Sequence, residues 1–133
     1  MHVEAVKQAA VEALEEIKAR DITVLDVRKM TSLFDYMIIA TAESARQTKA
    51  LARNVQEKLK ELGLRVQGLE GEKTGEWVLV DLGDVIVHVM QPAIRTYYNL
   101  EQLWGGRPPS PHPTTWRNSP VAEAPTALTP PPG

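Results

Sequence analysis

Cysteine is absent from the 133 residues, which excludes disulfides, thiolate metal sites and a cysteine nucleophile. A cysteine-free chain suits a reducing compartment, and the expected location is the cytoplasm. Long hydrophobic runs are missing as well. No segment approaches the roughly 18–20 apolar residues of a membrane span, and the opening Met1–Lys7 is amphipathic and carries Glu4, unlike a signal peptide. Charge of one sign is lacking too. Lys+Arg 15 against Asp+Glu 17 leaves a net charge of −2, so no overall field draws the chain to nucleic acid or anionic lipid. Aromatics make up only 5%.

Proline is nearly absent from the first 104 residues, where Pro92 stands alone, while nine prolines crowd into residues 105–133. That stretch holds only Trp116, Val121 and Leu128 as large apolar residues, too few to offset chain entropy, and is expected to be a disordered tail. Its Pro108-to-Pro111 spacing has the PxxP form, but a plain flexible extension is the preferred reading over a peptide ligand. Residues 1–104 are left as one domain, long enough for a single modest core.

Within that domain, apolar residues recur with helical period from Val3 to Arg20, and Ile22–Arg28 is a β-branched run that predicts a strand. Tyr36–Thr41 predicts a second strand, apolar on both sides and therefore covered on both faces. Ser44-Ala45-Arg46-Gln47 has the form of a capping box, opening a helix whose stripe is Leu51, Val55, Leu59 and Leu62. Gly63 closes it. Leu64–Leu69, Trp77–Leu82 and Val85–Met90 predict three further strands, and Pro92 opens a last helical segment, Ala93–Trp104, broken near Asn99. The expected fold is α/β (α+β), a mixed sheet of about five strands with flanking helices in the order αββαβββα.

Gly83-Asp84 suits a two-residue type II′ turn, and the turn dictates a register. Leu82 faces Val85, Val80 faces Val87 and Val78 faces Val89, an aliphatic face that belongs against helices. The other face sets Trp77, Leu79 and Asp81 against Met90, His88 and Ile86. Two accounts of this mixed face stand side by side. Either the chain's own terminal segment covers it, or it is a protein-binding surface with aromatic anchors. Tyr97, Tyr98 and Trp104, half of the tyrosines and tryptophans, lie in that terminal segment.

Catalytic patterns are few. His2, His88 and His112 are far apart with no HExxH spacing, no nucleophile elbow surrounds Ser32 or Ser44, and neither GxGxxG nor GxxxxGK[ST] occurs. Asp81 and Asp84 form a DxxD pair, a weak cation candidate because Asp84 is also a natural turn residue. Basic residues are scattered, and on the second helix Lys58 and Lys60 alternate with Glu57 and Glu61, which describes a solvated face and not a nucleic-acid stripe, so no direct nucleic-acid specificity is expected.

The segments Ser32–Thr41 (SLFDYMIIAT), Ser44–Gln47 (SARQ), Glu70-Gly71, Trp77–Met90 (WVLVDLGDVIVHVM) and Arg95–Trp104 (RTYYNLEQLW) resemble the ribosomal silencing factor family, RsfS, also called Iojap. The resemblance extends over residues 1–104. It implies a fold like that of nucleotidyltransferases without their activity. It also implies a cytoplasmic protein that needs no cofactor and binds the large ribosomal subunit through its protein L-fourteen. Joining of the small subunit would be blocked and translation repressed under nutrient limitation; some members form homodimers. The matching motif positions, Trp77, Asp81, Tyr98, Leu100, Glu101 and Trp104, are the implied partner-binding residues. The alternative is a nucleotidyltransferase-like, metal-dependent enzyme using Asp81 and Asp84. It would require a Gly-Ser motif where Thr41-Ala42-Glu43-Ser44 stands.

Overall fold

The computed structural model describes residues 2–104; the predicted tail lies outside the described residues. The order is α1 (Val3–Glu16), β1 (Arg20–Asp26), β2 (Tyr36–Thr41), α2 (Ala45–Glu61), β3 (Gly68–Glu70), β4 (Trp77–Asp81), β5 (Val85–Met90), α3 (Pro92–Tyr98) and α4 (Leu100–Trp104). The strands form one mixed sheet in the order β1-β2-β5-β4-β3, in which β2 and β5 run parallel and every other pair antiparallel. Among the described residues no helix is long and apolar enough to cross a membrane.

The β4–β5 ladder has the register that the Gly83-Asp84 turn requires, from Trp77↔Met90 to Asp81↔Ile86. Gly83 has φ +92° and Asp84 is not among the positive-φ residues, the combination a type II′ turn needs. The aliphatic face of that hairpin packs under α1 and α2, with Val78, Val80, Val87 and Val89 against Leu14, Leu51, Val55 and Leu59. Both faces of β2 are buried, as its uninterrupted apolar run implies.

Element ends moved where the stop signal was not a glycine. The first helix ends at Glu16 rather than Arg20, because Lys18 adopts φ +61° and closes a Schellman motif. In it the Lys18 N–H donates to Glu15 O and the Ala19 N–H to Leu14 O, each at 3.0 Å. α2 ends the same way at Gly63, with φ +87°. There Gly63 donates to Lys60 O and Leu64 to Leu59 O, each at 2.9 Å. Leu62 falls just outside the buried stripe and is exposed. β1 is displaced two residues toward the N-terminus, ending where Asp26 folds back to accept from the Arg28 N–H at 3.1 Å. The strand expected over Leu64–Leu69 shrinks to three residues, since Leu64 and Val66 are drawn against the helical core instead of pairing.

Candidate partner-binding face

The mixed face of the sheet is covered by the chain itself. After β5, Pro92 starts α3 across that face, and Asn99, with φ +45°, turns the chain into α4. A left-handed asparagine joins two short helices at an angle that one continuous helix could not make. Beneath them lies a second core of Val27, Phe34, Met37, Ile39, Trp77, Leu79, Ile86, Met90, Tyr98, Leu100 and Trp104. Of the two accounts left open by the sequence, coverage by the terminal segment is the one realised.

This relocates four of the six residues expected to touch a partner. Trp77 is 3% exposed, and Tyr98, Leu100 and Trp104 are likewise buried. The expectation that Trp77 and Leu100 fill hollows on another molecule is therefore corrected: they fill hollows in their own core, because the apolar side of α3–α4 needs a surface to cover. The Trp77 and Tyr98 rings meet at 4.8 Å between centroids and Trp104 meets Phe34 at 5.5 Å, tilted contacts of the kind aromatic pairs prefer. These residues hold α3 and α4 in place on the sheet.

Asp81 and Glu101 keep accessible atoms, but not together. The Asp81 carboxylate accepts from the Gly83 N–H at 2.8 Å and so braces the hairpin turn. Glu101 accepts from Arg95 Nε at 3.0 Å at the opposite end of the sheet. Arg95 is anchored on Thr41, two strands from β4, and Thr41 pairs with Met90, whereas Asp81 pairs with Ile86. Four residues along a strand are about 13 Å and two strand spacings about 10 Å, so Asp81 and Glu101 do not share one acidic patch.

Arg95 is a residue whose part the sequence did not disclose. Its guanidinium donates to Thr23 Oγ1 at 2.9 Å, Thr41 Oγ1 at 2.8 Å and the Asp21 carbonyl at 2.5 Å, besides Glu101. One side chain thus fastens α3 to β1, β2 and α4. Asp21 presents that carbonyl because it sits at φ +47° where the β1–β2 register shifts. Beside it a polar cleft runs between Asp21, Thr23, Thr96, Asn99 and Glu101.

His88 is fully buried, and loss of hydration pushes its pKa down to about 3, so the ring is neutral. Its Nδ1 accepts the indole N–H of Trp77 at 3.0 Å, which places the ring proton on Nε2. The outer surface of the covering segment presents Tyr97, 67% exposed, whose ring leans on Tyr98 at 5.0 Å. Leu33, equally exposed, precedes Phe34 at the edge of α4.

The family described as "Ribosomal silencing factor during starvation" matches residues 1–129. A ribosomal silencing factor RsfS of Chromobacterium violaceum is 58% identical over 110 residues, covering 83% of this chain and 90% of that protein. A crystal structure of a protein from the same organism superposes with a TM-score of 0.78 at 58% identity, over 83% of this chain and 92% of the other. More distantly, the mouse protein named "Mitochondrial assembly of ribosomal large subunit protein 1" is 33% identical over 97 residues, 71% of this chain and 42% of that protein.

Proposed function

The chain belongs to the ribosomal silencing factor family, and from that premise we propose that it docks on the large ribosomal subunit, through protein L-fourteen, and excludes the small subunit sterically. The family match over residues 1–129 carries the reading. The mouse relative's name, which refers to the ribosomal large subunit, supports the choice of subunit.

The docking surface is the outside of the α3–α4 cap and its margins. Tyr97 supplies an exposed aromatic anchor on a rigid support, since Tyr98, Leu100 and Trp104 lock the cap from below. Ribosomal proteins are generally basic, and the carboxylates of Glu101 and Asp81, at two separate points of the periphery, set orientation on such a partner. Repression follows from occupancy alone, because an interface of about 800 Å² per partner suffices to obstruct a much larger particle. No chemistry is required, and the Asp81 carboxylate is engaged in bracing its own turn. The protein acts in this reading as a wedge and not as an enzyme.

Sedimentation with isolated large subunits across a salt series tests it. Asp81→Asn with Glu101→Gln keeps both hydrogen-bond acceptors while removing both charges, and Tyr97→Ala removes the anchor. The triple variant is expected to remain folded and to lose at least ~10-fold in affinity. Undiminished binding would sink the assignment of this surface.

A further inference from the structure

On the far side of the sheet, the outer flank of α2 carries Arg46, Lys49, Arg53 and Lys60, all exposed. With Gln56 they follow the intervals three, four, three and four, which keep side chains on one side of a helix. The opposite side of α2, with Leu51, Val55 and Leu59, faces the core. The sequence alternation of Lys58 and Lys60 with Glu57 and Glu61 survives only in part, since exposed Glu57, four residues after Arg53 and three before Lys60, shares the side of the four cations, which still outnumber it. Lys58 turns to α1 and binds Glu16 at 2.6 Å, while Lys60 falls on the basic flank. Among the described residues none of the four cations makes an ion pair, whereas Lys7, Arg20, Arg28, Lys58 and Arg95 all do. At the C-terminal end of the stripe Lys60 shares a groove of about 370 Å³ with Arg65, also exposed.

We propose that this flank is a contact surface for the phosphodiester backbone of RNA. At 1.5 Å rise per residue, Arg46 to Lys60 spans about 21 Å, a row of unpaired cations long enough to follow several phosphates. A protein partner fits less well. Protein interfaces draw their energy from buried aromatic and aliphatic anchors, and the residues along this flank are Arg46, Lys49, Arg53, Gln56, Glu57 and Lys60 with no large apolar side chain among them. Phosphate contacts need only charge and reach, and carry no base specificity. The chain as a whole has a net charge of −2, so attraction depends on the segregation of charge onto this one side. The RNA contact lies beyond the protein contact proposed above and uses the opposite face of the sheet.

The test is the affinity of the full chain for a fluorescein-labelled RNA hairpin of arbitrary sequence, from 50 to 300 mM salt. The comparison variant is Arg46→Gln/Lys49→Gln/Arg53→Gln/Lys60→Gln, with thermal unfolding as the check on folding. The parent is expected to bind with a steep salt dependence. The variant should lose about 10-fold or more at the lowest salt, and its log–log slope should fall by about 3, close to one per phosphate contact removed. Lys18→Gln/Lys29→Gln, both exposed and outside α2, should match the parent. Equal binding by parent and quadruple variant overturns the proposal. So does equal affinity of the parent for polyglutamate, which would make the flank a general anion surface. No large subunit is present, so the result is independent of whether the α3–α4 face binds one.

Discussion

Trp77 and His88 are diagonal neighbours on the antiparallel β4–β5 pair, and the indole N–H of one donates to Nδ1 of the other at 3.0 Å beneath α3 and α4. The bond exists only while the imidazole is neutral, because a protonated ring has no acceptor to offer. The folded-state pKa, about 3, lies below the ordinary 6.5. The unfolded chain therefore binds the proton more readily, and the stabilisation is complete above pH 6.5 and lost as pH falls toward the folded value. From pH 7 to pH 5 the domain should lose about 2 kcal/mol of unfolding free energy. Urea titrations at the two pH values check it. In His88→Gln, less stable at both, most of that difference should vanish.

Removing Trp77 should cost the fold first and any docking second. Trp77→Ala opens a cavity between the sheet and α3, with an expected loss of about 3–5 kcal/mol. Tyr97→Ala, two thirds exposed, should change stability by less than about 0.5 kcal/mol. Urea midpoints for the pair separate the buried aromatic from the surface one; equal losses would contradict the arrangement described.

Arg95→Lys keeps the charge but not the planar fork. A single ammonium cannot reach Thr23, Thr41, the Asp21 carbonyl and Glu101 at once, and the variant is expected to lose about 1–3 kcal/mol. Hydrogen exchange should show the loss locally, in faster exchange of α3 and the start of β1.

Two glycines at similar φ should respond differently to alanine. At Gly71, φ +83°, an added Cβ would lie 2.0 Å from the Trp77 carbonyl oxygen, a backbone atom that cannot move without displacing β4. At Gly63, φ +87°, nothing stands within 4 Å, leaving only the left-handed backbone penalty of about 1–2 kcal/mol. Thermal melts should rank Gly71→Ala well below Gly63→Ala.

Much of the local structure was legible before any coordinates. Ser44 accepts from the Gln47 N–H at 3.1 Å, as the capping box implies, although the Gln47 side chain reaches the Glu43 N–H rather than that of Ser44. The break at Asn99 and the stop at Gly63 were legible for the same reason: each is decided by residues within a few positions. Lys18 was missed because a lysine in the left-handed region carries no compositional mark.

Sequence alone determined the hairpin register and hence which side chains share a face, since a two-residue turn and a period of two leave one arrangement. It equally determined that α2 is amphipathic. Tertiary structure decided which face stays open. Whether Trp77 meets solvent, a partner or the chain's own α4 depends on contacts between residues far apart in sequence, such as Phe34 with Trp104 and Arg95 with Thr23. No local pattern encodes such contacts. They arise because the terminal segment buries more apolar surface on the sheet than it would in water.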